Sequence, residues 1–330
     1  MPIPTAPDLH ALAQQMKAAQ DSARQIEPFT TRLPGFDLRA AYEVADLMHR
    51  ARLAKGAKPV GRKIGFTNPA MWDRFGVREP IWAYVYDTTV VQLEGTRTSC
   101  RLARFVEPKI ESEIVLHFHS APPHGPSLDG VLNAIDWVAH GFEIVQSHFP
   151  GWKFETPDTV ADWALHGTLM VGPPQPVARL GGDLTAALKG FSLTLSCDGQ
   201  EVEAGRGSNA LGSPLAAIAH LVRLLGKQSA YAPLHAGENG DDGHDHHCTV
   251  RSRWRNLAVR AGRHRTSGSH HRLPGMNRNR VAYPSSPARH PRTHIIRGVS
   301  SSSTDVLPGR GRLRSRALPA TFLQYKEDGS

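Results

Sequence analysis

The sequence predicts an α+β protein with a helical N-terminal lead, a body of short strands flanked by helices, and a disordered C-terminal tail. Three observations carry this expectation. Apolar residues recur at helical spacing before residue 58, short β-branched runs between turn residues follow, and the composition changes after Glu238. The expected divisions are therefore a helical region over 1–58, a strand-rich body over 59–238 and a basic tail over 239–330.

The elements follow in order. Leu9, Leu12, Ala13 and Met16 share one helical face, which predicts a helix over 8–25 with Asp8 as its N-cap. Leu38, Tyr42, Val44, Ala45, Met48 and Leu53 predict a second over 38–55, capped by Asp37. From about 60 the runs IGFT, AYVYDTTVVQL and EIVLHF read as strands. The segment LDGVLNAIDWVAH predicts a helix over 128–140 leading into a strand, FEIVQSHF. TLMVGPP reads as another strand, and FSLTLSCDGQEVEAG as a hairpin turning at Asp198-Gly199. A last helix is expected over 213–226, with Ser213 as N-cap and Pro214 at its first position.

The chain has 330 residues, is 40% hydrophobic and carries a formal charge of +9. A charge of that size suggests an acidic partner such as nucleic acid or a membrane surface. The excess, however, is local. Residues 1–238 hold 22 Lys+Arg against 24 Asp+Glu, and residues 239–330 hold 17 against 6. The body is slightly acidic and implies no nucleic-acid partner. Cys100, Cys197 and Cys248 form no CxxC pair, which fits a reducing compartment. The opening MPIPTAPDLH has no signal-peptide pattern, and no apolar run is long enough for a membrane span. The expectation is a soluble cytoplasmic protein.

The tail holds 16 Arg but one Lys, together with 8 of the 18 His. A disordered basic arm explains the charge but not the bias between the two cations. An out-of-frame reading of GC-rich coding DNA explains both, because CGN codons become frequent. With permitted codons, deletion of one A after Glu238 restores E-M-V-T-T-G-T-I-T-T-A, a strand–turn–strand pattern. In that frame Met276-Asn277 encodes a stop, whichever Asn codon is used. The run from Asp241 to Cys248, GDDGHDHHC, otherwise resembles a metal site.

The chemistry-bearing residues lie in the body. Glu111 and Glu113 stand at i and i+2 in PKIESEIVLHF, on one face of a strand. Buried together they would require a cation; exposed, they would be an ordinary solvated face. Glu143, on the next strand, could complete an oxygen set suited to Mg²⁺ or Mn²⁺. Lys63, between Gly61 and Gly65, could hold a carboxylate or stabilise an enolate, or simply be a surface lysine. His148 and His166 are candidate acid–base groups or structural histidines, and Asp162 either orients a catalytic group or caps a turn. The turn Gly205-Arg206-Gly207-Ser208 enters a helix and could bind an anion. It matches neither a P-loop nor a dinucleotide fingerprint, and no GxSxG elbow is present.

Taken together, VGRKIGFTNPAMWDRFGVREPIWAYV, PKIESEI, LNAIDWV, FEIVQSHF, DTVADWA, EVEAGRGSNALGSPLAAIAHL and PLHAGE resemble the 2-keto-4-pentenoate hydratase / 4-oxalocrotonate decarboxylase group of the fumarylacetoacetate hydrolase superfamily. The stretches occur in family order over about 8–238. The resemblance implies a mixed β-roll or barrel with flanking helices. It implies Glu111, Glu113 and Glu143 as ligands of Mg²⁺ (or Mn²⁺), Lys63 and Asp162 as catalytic residues, and Gly65, Gly205 and Gly207 beside the substrate. The implied activity is hydration of a 2-hydroxy-2,4-dienoate in aromatic meta-cleavage catabolism. Oxalocrotonate-type decarboxylation is the alternative, and an inactive scaffolding homologue a third reading. A small 2-oxo acid is the implied substrate. A homo-oligomer is the implied assembly, with a related decarboxylase or hydratase as a candidate partner. Two departures stand out. Trp163 and Leu165-His166 replace the Asn-x-Ser that many relatives carry after the Asp, and the closing strands after PLHAGE are missing.

Overall fold

The computed structural model describes residues 7–95, 98–197, 200–235, 247–251, 257–258, 294–297 and 324–327. The N-terminal lead forms as its periodicity dictates. Asp8 accepts a hydrogen bond from the Ala11 amide and starts helix Leu9–Asp21; Asp37 does the same for Ala40 and starts helix Leu38–Leu53. Each satisfies an amide that the helix leaves without an internal partner. Met16, Ala41 and Val44 are fully buried, and they join one apolar cluster with Ile64, Ile81 and Ile114 of the strand region. The core therefore runs continuously across residue 58.

The fold is mixed α/β around one large sheet. Along its main path, in spatial order, the strands are Ile81–Tyr86, Pro59–Gly65, His247–Arg251, Lys109–Phe118, Ile135–Val145, His166–Val171 and Val90–Gln92, with Leu257–Ala258 and Gln175–Pro176 pairing to the side. Pairing is parallel between 59–65 and 247–251 and between 90–92 and 166–171, and antiparallel at the other junctions along this path. Strands Ser192–Cys197 and Gln200–Arg206 pair antiparallel with Cys197 opposite Gln200. Their expected turn, Asp198-Gly199, lies outside the described residues. Helix Pro214–Lys227 is capped as expected, with Ser213 accepting from the Ala216 amide, and it buries Leu215, Ile218 and Leu221 completely.

Two expectations need correction. The helix expected over 128–140 ends at Leu132, and Ile135–Val145 is a strand. The segment IDWVAHGFEIV lies opposite the whole length of the 109–118 strand, and that long ladder outweighs the local helical pattern of LDGVLNAI. The second correction concerns the tail. Residues 247–251, 257–258, 294–297 and 324–327 are strands, so the tail is not structureless throughout. The physical cause lies in the sheet. Strands 59–65 and 109–118 both pair with 247–251, which stands between them. Without a strand there, both would present unpaired amides and carbonyls. The His/Asp run over 241–246 lies outside the described residues.

Among the described residues, no helix is long and apolar enough to cross a membrane. The half-buried His140 and His49 are both held neutral by burial, at a pKa of about 4, with Arg62 adding to the effect at His49. Their folded values lie below the ordinary 6.5, so the unfolded chain binds more protons between about pH 6.5 and 4. Stability present above 6.5 should therefore be lost as the pH falls through that window. After discounting for solvent screening, the loss should be on the order of 2 kcal/mol. Denaturant melts at pH 7 and pH 4.5 check this, and equal midpoints would refute it.

Candidate metal centre

The centre begins with strand alternation. Glu111 and Glu113 project from one face of strand 109–118, and Glu111 stands directly opposite Glu143 on strand 135–145. Opposite Glu113 is Gly141, where a Cβ would lie 3.0 Å from the Val115 side chain and 3.2 Å from the Met170 carbonyl. Only glycine fits that approach without displacing its neighbours. The three glutamates are each 2% exposed. One carboxylate oxygen from each lies within 4.8 Å of the other two. Buried carboxylates at such separation repel strongly unless positive charge stands among them. The exposed-face alternative for Glu111 and Glu113 is therefore removed.

Lys63 supplies one positive charge. Strand 59–65 carries it into the core at 4% exposure. Its Nζ donates to both oxygens of Glu143, at 2.6 and 2.8 Å, and to the Ala164 carbonyl at 3.0 Å. The surface-lysine alternative is likewise removed. Burial alone would raise the Glu143 pKa; the Lys63 ammonium and the His166 hydrogen bond outweigh it and hold the group below the usual carboxylate range. Glu143 is thus ionised at neutral pH, as a cation ligand must be. The cavity at this point is lined by the glutamates, Lys63 and Gly65, with Phe66, Ile81, Val145 and Leu165 among its apolar walls.

One wall is a strained turn. Trp163, Ala164 and Leu165 have φ values of 55°, 49° and 63°, left-handed and without a glycine among them. Such backbone costs roughly 1–2 kcal/mol per residue and persists only where its surroundings hold it. Asp162 is a principal holder. At 1% exposure it accepts from the His148 amide at 3.0 Å, His148 Nδ1 at 2.7 Å and Gln20 Nε2 at 3.1 Å. Trp163 is fixed by its Nε1–H donating to the Tyr84 carbonyl at 2.6 Å and by the Arg52 guanidinium 3.7 Å over its ring. The turn presents the Ala164 carbonyl to Lys63 and directs His166 Nδ1 to within 2.5 Å of Glu143 Oε1.

The structure thus brings Glu111, Glu113, Glu143, Lys63 and Gly65 to one cavity. Asp162 lies behind the turn rather than among the lining residues. Gly205 and Gly207 also stand away from this lining. A Cβ on Gly207 would come within 2.0 Å of the Leu188 carbonyl oxygen, so close packing accounts for that glycine. Thr89, whose Oγ1 lies 2.9 Å from His166 Nε2, the Ala164 carbonyl and Arg52 carry no signal in the sequence. The polar partners act through backbone or hydroxyl groups with no distinctive spacing, and Arg52 sits on the helical lead, distant in sequence.

Comparison with known proteins bears on this arrangement. No family model matches the chain. The 2-hydroxyhexa-2,4-dienoate hydratase of Comamonas testosteroni is 34% identical over 227 residues, 68% of this chain and 83% of that protein. The 2-keto-4-pentenoate hydratase of Paraburkholderia xenovorans is 31% identical over 68% of this chain and 81% of its own length. Among solved structures, the 4-oxalocrotonate decarboxylase from Pseudomonas putida G7, complexed with magnesium and adipate, superposes with a TM-score of 0.63 at 27% identity. The match covers 75% of this chain and 91% of that one.

Proposed function

The chain belongs to the 2-keto-4-pentenoate hydratase / 4-oxalocrotonate decarboxylase family, and on that premise we propose that it is a metal-dependent hydratase adding water to a 2-hydroxy-2,4-dienoate, the enol form of a 2-oxo-4-enoate, in aromatic meta-cleavage catabolism. Glu111, Glu113 and Glu143 are the proposed ligands. An all-oxygen set suits a hard divalent cation, Mg²⁺ or Mn²⁺, and three buried carboxylates beside one lysine are the observation that fits it. When bound, such an ion polarises the carboxylate and 2-oxo oxygens of the substrate.

The residues of the chain do the rest. Lys63 directs an ammonium at the same oxygens and stabilises negative charge as it develops there. Gly65 lets the backbone approach the substrate, and the strained turn fixes the Ala164 carbonyl that orients Nζ. Asp162 acts by holding that turn. Phe66, Ile81, Val145 and Leu165 clothe the substrate chain in apolar surface.

That apolar wall favours hydration over decarboxylation. Among the described residues lining the cavity, Lys63 is the basic side chain, and it serves the 2-oxo acid end. A diacid would bury its distal carboxylate without a matching cation, which is costly. The expected result is a kcat/KM for a 2-hydroxy-2,4-dienoate at least about tenfold above that for an oxalocrotonate diacid. Parallel assays with Mg²⁺ and Mn²⁺ check this. Preference for the diacid would reverse the assignment, and no turnover of either would reject both. The decarboxylase reading is kept because the Pseudomonas putida G7 relative was captured with a six-carbon diacid, adipate.

The finer readings proposed with this function are a roll-like closure of the sheet, a cytoplasmic location and self-association, with a related decarboxylase or hydratase as a second partner. We also propose that residues 239–330 arise from a shifted reading frame, on the strength of the arginine bias and the stop encoded across Met276-Asn277. The divisions at 58 and 238 remain our reading of the chain's organisation.

A further inference from the structure

His166 follows the strained turn, and its surroundings give it a task. It is 2% exposed. Its Nδ1 lies 2.5 Å from Glu143 Oε1, and its Nε2 lies 2.9 Å from Thr89 Oγ1. The Thr89 Oγ1 also lies 3.1 Å from the Tyr86 carbonyl, which fixes the place of the hydroxyl. Glu143 is ionised and can only accept, so the single proton of the neutral ring sits on Nδ1, and Nε2 accepts from the Thr89 hydroxyl. The ring is thereby anchored at its outer nitrogen, and Nδ1–H donates to Glu143 Oε1. Trp163 packs edge-on against the same ring, with centroids 4.6 Å apart, and is itself pinned by Tyr84 and Arg52.

The two oxygens of Glu143 are consequently unequal. Oε1 takes both His166 and Lys63, whereas Oε2 takes Lys63 at 2.8 Å. We propose that His166 is a positioning residue for the cation centre: it reserves Oε1, so that Oε2 is the oxygen offered to the metal once Lys63 turns to substrate. The inference rests on the reading of the three glutamates as a divalent-cation site. A clamp of this kind acts through its ligand, since a carboxylate fixed by an outer hydrogen bond loses less freedom when the ion arrives. It also gives the strained turn a purpose, because the left-handed residues 163–165 set the position from which His166 reaches Glu143.

The test is Mn²⁺ binding to the metal-stripped full-length chain, read from the free-ion EPR signal. His166→Phe keeps an aromatic ring and removes the donor; His166→Asn returns an N–H near the place of Nδ1. The Phe variant should bind Mn²⁺ about 10–100-fold more weakly than the wild type, and the Asn variant should recover most of that loss. At saturating Mn²⁺, KM should move less than kcat. A merely structural role would lower the melting temperature of both variants without separating their Mn²⁺ affinities. Thr89→Val, which removes the outer anchor, should weaken binding roughly threefold and decides the matter if the Phe variant does not fold. Wild-type affinity within about twofold in the Phe variant, or equal losses in Phe and Asn, would overturn the role of His166 alone. Failure of the wild-type chain to bind Mn²⁺ would overturn the cation centre and this inference with it.

Discussion

Replacing Lys63 with methionine should lower kcat by about 10²–10³-fold and lower kcat/KM by a similar factor. The side chain is nearly isosteric, so packing changes little, but the positive charge at 2.6 and 2.8 Å from Glu143 is gone. A charge that stabilises developing enolate oxygens matters most in the transition state, which is why both kinetic constants should fall together. The variant should also be less stable without metal. Glu143 stays buried at 2% exposure and loses the ammonium that keeps it ionised. Removing one partner of such a pair typically costs about 3–5 kcal/mol, with His166 retained to soften the loss. Added Mn²⁺ should return part of the lost melting temperature, because a cation at the three glutamates substitutes for the missing charge. Steady-state kinetics and thermal melts with and without Mn²⁺ check both halves. A kcat within about threefold of wild type would remove Lys63 from the chemistry.

The same residues show what the sequence could and could not reveal. Glu111 and Glu113 were legible because strand alternation alone puts positions i and i+2 on one face. Glu143 required the register of two strands, which spacing does not encode; the family resemblance supplied it. Lys63 could be singled out by its flanking glycines, but its burial could not. The 128–140 segment misled because its first half does form a helix, Leu128–Leu132, and only the neighbouring ten-residue strand decides the second half. The turn 163–165 was invisible for a different reason. Trp-Ala-Leu carries no glycine or asparagine to announce left-handed backbone, so its conformation is imposed by Asp162, Arg52 and Tyr84 from outside. The departure from Asn-x-Ser at this place marked the right locus without indicating that His166 would reach a glutamate.

A chain with its reading frame restored after Glu238 should melt higher and turn over faster than the 330-residue form. The sheet explains why. The position between strands 59–65 and 109–118 is central, and it borders the site directly: residue 249 pairs with Lys63, and residue 251 pairs with Glu113. His247–Arg251 contributes five residues to that position, and Leu257–Ala258 pairs separately with the far end of strand 109–118. The restored stretch E-M-V-T-T-G-T-I-T-T-A is longer, uncharged after its first residue and rich in β-branched side chains, as a central strand requires. Register matters as much as pairing energy, because a slip of one residue exchanges the faces of the strand beside the glutamates. Several kcal/mol gained in a central strand should raise the melting temperature by on the order of 10 °C. Activity should rise with it, because Lys63 and Glu113 would then rest on a strand of fixed register. The comparison needs both chains purified and assayed at one Mn²⁺ concentration, together with the nucleotide sequence around Glu238. Equal melting temperatures and equal turnover would show that the 239–330 tail serves the sheet as well as the restored strand would, and a coding tract without a surplus base would end the frameshift reading outright.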